Sequence, residues 1–405
     1  MGKFDCIVVG GGLIGACCTY ELIQAGAGKI AWLEQGQLGK GTSRAYAGNI
    51  FMAAAGYIPE FGIEEYELEL YGLEFYKNLN HEQPELDLRV VGSVFLALTE
   101  ESLNDLSSTF TKELSVANQE ILDSNDVTKL CEGINRTKIG GAVFHPDSGW
   151  VSAERATNIL ARIIKADNGT VMSNMPVQEL LIENGNISGV LTPDKKISAD
   201  NVILATGAWT NSLLEKSDIS LPMIPVVGAR VTAKEPAVSA QTPVILIKEK
   251  GLYLREENGG ILWGGGYMAP PRFDLLESAA PANLNLLPLD GIWELVEKAK
   301  SMADVITFFT NLNRITFSYG APCHTRDRRA MVGPVSDVQG LYFAGGCNEA
   351  GVVHAPGFGR LIAELVMGRA KYVPNRKVFF PDRFGSRYSK TEILKTASIL
   401  FNHHP

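Results

Sequence analysis

The chain has 405 residues, a formal net charge of −8, and 45% hydrophobic against 20% charged residues. That balance suits a globular protein of two or three domains, or one large α/β unit with an insertion, and argues against nucleic acid or an anionic membrane as the main partner. No stretch reaches the roughly 18 uninterrupted apolar residues of a membrane span, so no transmembrane segment is expected. The first residues carry one lysine and no leader pattern, so a cytoplasmic protein is expected. The six cysteines (Cys6, Cys17, Cys18, Cys131, Cys323, Cys347) form no CxxC pair and no His/Cys metal spacing, so neither a metal site nor a disulfide framework is expected.

The first element is "FDCIVV", Phe4 to Val9, an apolar run that predicts a parallel strand buried on both faces. Gly10, Gly12 and Gly15 follow as G-x-G-x-x-G. The first glycine permits a tight turn, the second a close approach to a pyrophosphate, and the third close packing of helix on strand. A helix is expected over Ala16 to Ala25, then a second strand in "KIAWLEQ" ending at Glu34. That acid lies 19 positions beyond Gly15 (34 − 15), where a carboxylate can take ribose hydroxyls. Strand, turn, helix, strand and terminal acid in this order predict a dinucleotide cradle.

Further along, "GQLGKGTSRAYAGNI" replaces the helix–strand alternation of a plain nicotinamide domain with a loop rich in glycine and hydroxyls. "ADNVILATGAWT" predicts a strand ending at Thr206-Gly207, and "GLYFAGGCNEAGVVHAPGFGRLIAELVMG" a strand, a glycine turn and a helix. Three strand-to-glycine turns can converge on one cofactor at the carboxyl ends of a parallel sheet. "WVSAERATNILARIIKADNG" reads as a helix with Ser152 as its N-cap, and "IEEYELELYGLEFYKNL" as an amphipathic one. Between Leu221 and about Phe317, "MIPVVGARVTA", "PVILIKEKGLYLRE" and "GGILWGGGYM" read as strands.

These segments together resemble the FAD-dependent D-amino-acid oxidase, glycine oxidase and sarcosine oxidase family, with matches spread from the N-terminus to about residue 370. The resemblance implies a Rossmann-type FAD-binding domain built from discontinuous pieces, roughly 1–50, 140–225 and 318–375. Residues 51–139 would pack on it, 226–317 would form a mostly antiparallel substrate domain over the flavin, and 376–405 a C-terminal extension. It places FAD on Gly10, Gly12, Gly15, Glu34, Ser43, Arg44, the backbone of Val177, Thr206, Gly207, and the turn carrying Gly345, Gly346, Gly351 and Val352. The implied activity is oxidation of a C–N bond in a small amine, N-methyl compound or amino acid. Hydride would pass to flavin N5, the imine would hydrolyse, and oxygen or another acceptor would reoxidise the flavin. Oxidation of a 2-hydroxy acid, or service as a flavin-carrying subunit, are the rival readings.

Such chemistry asks little of the protein beyond holding the substrate and excluding water. In amino-acid-oxidising members an arginine before the final turn pairs with the substrate carboxylate; here, anchoring on "TRD", Pro322 stands in its place. A basic residue of the final turn is replaced by Glu349. Either the substrate lacks the α-carboxylate and Glu349 attracts its cation, or another strand supplies the clamp, for which Arg255 is the candidate. By strand alternation Tyr253 shares its face. Arg255 could instead form a surface ion pair, and Tyr253 could pack in the core. His324 is a further pocket candidate. Arg326, Arg328 and Arg329 beside Asp327 read as local ion pairing, and His354 as support of the turn. Cys323 lies three positions beyond the family's covalent flavin attachment site. The run Ala53-Ala54-Ala55-Gly56 could form a lid, and His403, His404 and Pro405 read as a frayed end rather than a metal site.

Overall fold

The computed structural model describes residues 2–45, 47–52, 60–113, 118–268, 289–369 and 372–385. The run at 53–56 and the closing residues 403–405 lie outside them.

Strands β1 (Phe4–Val9), β2 (Ile30–Leu33), β3 (Thr170–Met172), β4 (Lys196–Leu204), β5 (Met331–Pro334) and β6 (Leu341–Gly345) lie side by side in the order β5-β6-β4-β1-β2-β3. All neighbours are parallel except β5 and β6. β1 is central because all its residues except Asp5 are buried, as a strand covered on both faces requires. Val9 pairs with both Leu33 and Leu204, and Leu204 with Phe343, so four strands end level at one carboxyl edge. The α/β, Rossmann-type expectation is met. A hairpin of Glu179–Glu183 and Asn186–Leu191 extends the sheet from the start of β4.

Four helices matter for the site: α1 (Leu13–Gln24), α2 (Ile63–Glu82), α3 (Ala153–Ala166) and α4 (Gly351–Met367). A Cβ on Gly359 would lie 2.5 Å from the Cys17 carbonyl oxygen, so α4 and α1 meet backbone to backbone. α2 crosses α4 equally closely, since a Cβ on Gly72 would collide with the Val353 carbonyl. Along α2, Tyr66, Leu68, Leu73 and Tyr76 are buried, whereas Ile63 and Leu70 stand exposed.

A second, mostly antiparallel sheet has eight strands, in the order Thr316–Gly320, Gly228–Ala233, Gly260–Met268, Leu252–Glu257, Val244–Ile247, Ser93–Ala97, Gly141–His145 and Glu120–Leu122. Three of these lie wholly outside the 226–317 interval, and Thr316–Gly320 runs past its end. Ser93–Ala97 enters through a parallel pairing of Val94 with Ile245, 151 positions apart (245 − 94), which no local pattern announces. On one face Val94, Leu96, Val231, Ile245, Leu254 and Trp263 form a separate core. On the other, Phe95, Leu246 and Tyr253 join the core of the Rossmann-type unit, so this sheet lies over that unit as a roof.

Candidate functional site

A cleft runs along the level carboxyl edge, from Glu34 at one end to Glu349 at the other. Its floor is the turn between β1 and α1. Gly10 has φ of +116°, a region open to glycine, and its carbonyl oxygen accepts the Trp32 indole N–H at 2.8 Å. A Cβ on Gly15 would collide with that same oxygen, so Gly15 sits beneath the floor and lets α1 pack against it. The N-cap of α1 is Gly12, without a side chain, and Ser43 Oγ accepts the Leu13 N–H at 3.0 Å. The first-turn amides of an N-terminus favour anions. At the far end of β2 the Glu34 carboxylate accepts from Gly11 N at 2.6 Å and Gly36 N at 2.8 Å, which fixes its direction.

Two more turns close on the cleft. After β4, Thr206 and Gly207 line it, with Thr206 Oγ1 2.8 Å from Thr210 Oγ1. After β6 the turn from Gly345 to Gly351 holds Asn348 and Glu349 in succession with positive φ, 46° and 73°. Non-glycine residues pay for that conformation, and Asn348 is what holds it. Buried, it donates through Nδ2 to the Gly346 carbonyl at 2.8 Å and accepts from Thr325 N at 3.0 Å through Oδ1. Its own N–H donates to the Cys323 carbonyl at 3.2 Å, stapling the turn to strand Cys323–Thr325.

The structure brings Gly10, Gly12, Glu34, Ser43, Val177, Thr206, Gly207, Gly345, Gly346, Gly351 and Val352 together around this cleft. Arg44 is not among the lining residues. Its exposed side chain turns to Glu154, 3.7 Å away, because the short helix Thr42–Ala45 presents Ser43 inward and Arg44 outward. Sequence reasoning missed Gly11, whose amide rather than side chain matters, and placed Thr42 in the hydroxyl-rich loop without its role, which is to bond both the N–H and the carbonyl of Ala321. It also missed Trp209, Cys347 and Asn348. "GAWT" and "GGCNEAG" contained these residues, but their roles follow from partners on distant strands.

At the other end, Pro322, Cys323, Cys347 and Glu349 line the cleft. His324 stands behind, its Nε2 3.8 Å from a Glu349 oxygen. Burial pushes both thiols up, that of Cys347 to about 11. Tyr253 and Arg255 do share a face of their strand, the face toward the Rossmann-type unit, but neither lines the cleft. The surface alternative for Arg255 fails: it is 3% exposed and paired with Glu257 at 2.6 Å. The arginines around Asp327 disperse into ion pairs, Arg329 with Glu64 and Glu65, Arg328 with Glu60, and Asp327 with Arg383. His354 is buried between Phe61 and Phe358, its Nε2 3.8 Å from Glu69. Among the described residues no group of three or more His, Cys, Asp or Glu could hold a metal, and no helix is long and apolar enough to cross a membrane.

Residues 5–365 match the model of the DAO family, described as FAD dependent oxidoreductase. A 4-methylaminobutanoate oxidase (formaldehyde-forming) of Paenarthrobacter nicotinovorans is 28% identical over 375 residues, covering 89% of this chain and 43% of its own length. The chain thus spans less than half of that relative. A glycine oxidase of Geobacillus kaustophilus is 26% identical over 376 residues, 90% of this chain and 93% of its own. The crystal structure of a glycine oxidase from Geobacillus kaustophilus superposes with a TM-score of 0.81, at 23% identity, over 95% of this chain and 99% of that one, which shows the fold.

Proposed function

Since the chain belongs to the DAO family of FAD-dependent oxidoreductases, we propose that it oxidises a C–N bond of a small amine, N-methyl compound or amino acid. FAD, when bound, supplies the acceptor for the hydride that leaves the carbon beside nitrogen. The observation that carries the reading is the convergence of three strand-to-glycine turns on one cleft that ends at Pro322, Cys347 and Glu349.

The cleft fits such a cofactor because its floor is bare backbone. A Cβ on Gly12 would press on Ser43 Oγ at 3.2 Å, and one on Gly11 would meet the Glu34 side chain, so side chains there would fill the cradle. In our reading the Gly12 amide and the Ser43 hydroxyl, itself positioned by the Leu13 N–H, hold the pyrophosphate at the N-terminus of α1, and Glu34, oriented by the Gly11 amide, takes the ribose hydroxyls. Val177, Thr206-Gly207 and the Gly345–Val352 turn hold the remainder. Gly15 supports the floor from below, and Arg44 drops out of the set. At the far end Glu349, backed by His324, attracts the substrate ammonium. The amine must be neutral when its neighbouring C–H is broken, so a proton leaves before the hydride does. The imine that results hydrolyses in water.

The test is anaerobic bleaching of the visible flavin band with D- and L-amino acids, glycine, sarcosine, N-methyl amines, simple amines and 2-hydroxy acids. Bleaching by the nitrogen compounds is expected. A protein that takes up no FAD, or one bleached only by hydroxy acids, overturns the reading. A bound flavin that no small molecule bleaches favours a flavin-carrying subunit instead.

A further inference from the structure

Among the described residues that line the cleft, the charged side chains are Glu34 and Glu349, both acids. They stand at opposite ends. Glu34 is directed by the Gly11 and Gly36 amides at the ribose end, which leaves Glu349 at the reacting end. The chain holds Glu349 there against its own preference. A φ of +73° is strained for a residue with a side chain, and Asn348, bonded to Gly346 and Thr325, fixes the turn that imposes it. Glu349 also lies just before α4, whose N-terminal end favours an anion.

Arg328 and Arg329, on the hairpin that follows His324, turn to other acids: Arg329 to Glu64 and Glu65, and Arg328 to Glu60 at 3.7 Å. The charge of Glu349 is felt inside the cleft. Burial is the main reason that the Cys347 thiol is pushed up to about 11, and the Glu349 carboxylate adds to it. A carboxylate holds an ammonium in its charged form. The nitrogen that is oxidised must be neutral when its neighbouring C–H breaks, so Glu349 would hinder the reaction if it held that nitrogen. The cation that suits Glu349 is therefore a second one on the same molecule. A substrate carboxylate at this end would be repelled.

We propose that Glu349 holds a second, non-reacting ammonium of the substrate, which makes the substrate a diamine or polyamine rather than a monoamine or an amino acid. This rests on the amine-oxidising reading above. In a diamine each ammonium makes the other nitrogen easier to deprotonate, and a carboxylate keeps the proton on the nitrogen that it touches. Glu349 thus sorts the two ends of the molecule: the end it holds stays charged, and the other end loses its proton and is oxidised.

The test uses the FAD-loaded protein with tetramethylammonium as the probe, and tert-butanol and acetate as its uncharged and anionic counterparts. Binding is read from the flavin absorption spectrum at constant ionic strength. Tetramethylammonium is expected to perturb the spectrum saturably, and the other two are not. Glu349→Gln is expected to weaken it about tenfold, a modest factor because the carboxylate is half-exposed. Pro322→Arg, which sets a cation in the cleft and leaves Glu349 in place, is expected to weaken it about as much, and it decides if Glu349→Gln holds no FAD. Anaerobic bleaching by low concentrations of putrescine is expected to be about tenfold faster than by butylamine, and Glu349→Gln to remove the difference. Tetramethylammonium that does not bind the parent, binds it no better than acetate, or is unaffected by the deciding variant overturns the proposal. If its binding follows Glu349 but no nitrogen compound bleaches the flavin, the oxidation reading fails and the cation site stands. If butylamine or glycine bleaches the flavin as fast as putrescine, the cation site alone fails.

Discussion

The cradle and the roof are held together by different means. The cradle closes through backbone-to-backbone approaches: Gly15 against the Gly10 carbonyl, Gly359 against Cys17, Gly48 against the Val151 carbonyl. The roof buries polar side chains on the face it turns to the cradle, among them Ser93, His145 and Arg255. A dinucleotide offers a pyrophosphate, which main-chain amides can meet. A small substrate differs from its rivals in one charged group, which only a placed side chain can read. The cradle should therefore be intolerant of added volume, and the roof sensitive to charge and proton uptake.

The largest expected effect is Gly15→Val. Its side chain would be driven into the Gly10 carbonyl, lifting α1 and opening the floor. A loss of about 3 kcal/mol or more and less than about 0.1 FAD per chain are expected. Urea denaturation and the visible spectrum check both; retained flavin at parent stability would break the comparison.

Next is a pH effect in the roof. Burial holds the His145 imidazole down at about 4, against an ordinary 6.5. The unfolded chain takes up the proton first as pH falls. Stability is therefore untouched above pH 6.5 and declines between 6.5 and 4, by about 3 kcal/mol in all. His145→Phe, whose ring can keep the edge contact with Phe95, should remove that component. Stability measured at pH 7 and pH 4.5 would show it, and an unchanged slope would count against it.

Asn348 is a buried side-chain fastening of the cradle's last turn. Asn348→Ala leaves Thr325 N and the Gly346 carbonyl without their partner and frees a strained turn. A loss of about 2 kcal/mol and roughly tenfold weaker FAD binding are expected from the buried groups left unpaired. Calorimetry of FAD rebinding to the stripped protein measures it.

Smallest is Arg44→Ala. An exposed pair with Glu154 is worth about 0.5 kcal/mol at most, and FAD affinity should stay within about twofold. A tenfold loss would return Arg44 to the cofactor set and blur the division between main-chain and side-chain recognition.

What could be read in advance follows this division. The acid at Glu34 was visible from its spacing beyond the first turn, and the turn at Gly10 to Gly15 and the later turns at Gly207 and Gly345 because each is a local conformational requirement. Residues adjacent in sequence satisfy it, and only glycine meets it cheaply. Tyr253 and Arg255 were correctly given one face by alternation, since strand geometry repeats every two residues. Which way that face points was not readable, because Ser93–Ala97 and its partner strand are far apart in the chain. The fate of Arg44, turned outward by a single helical turn, was hidden for the same reason. Asn348 looked like one polar residue of a turn until Thr325 and Cys323 came beside it. The sequence by itself determined the cradle, its fold and its class of cofactor, since amides and turns are a property of the local chain. Only the tertiary structure decided which charged side chains are buried and which pair at the surface, because burial and pairing are properties of neighbours that the chain brings together from far away.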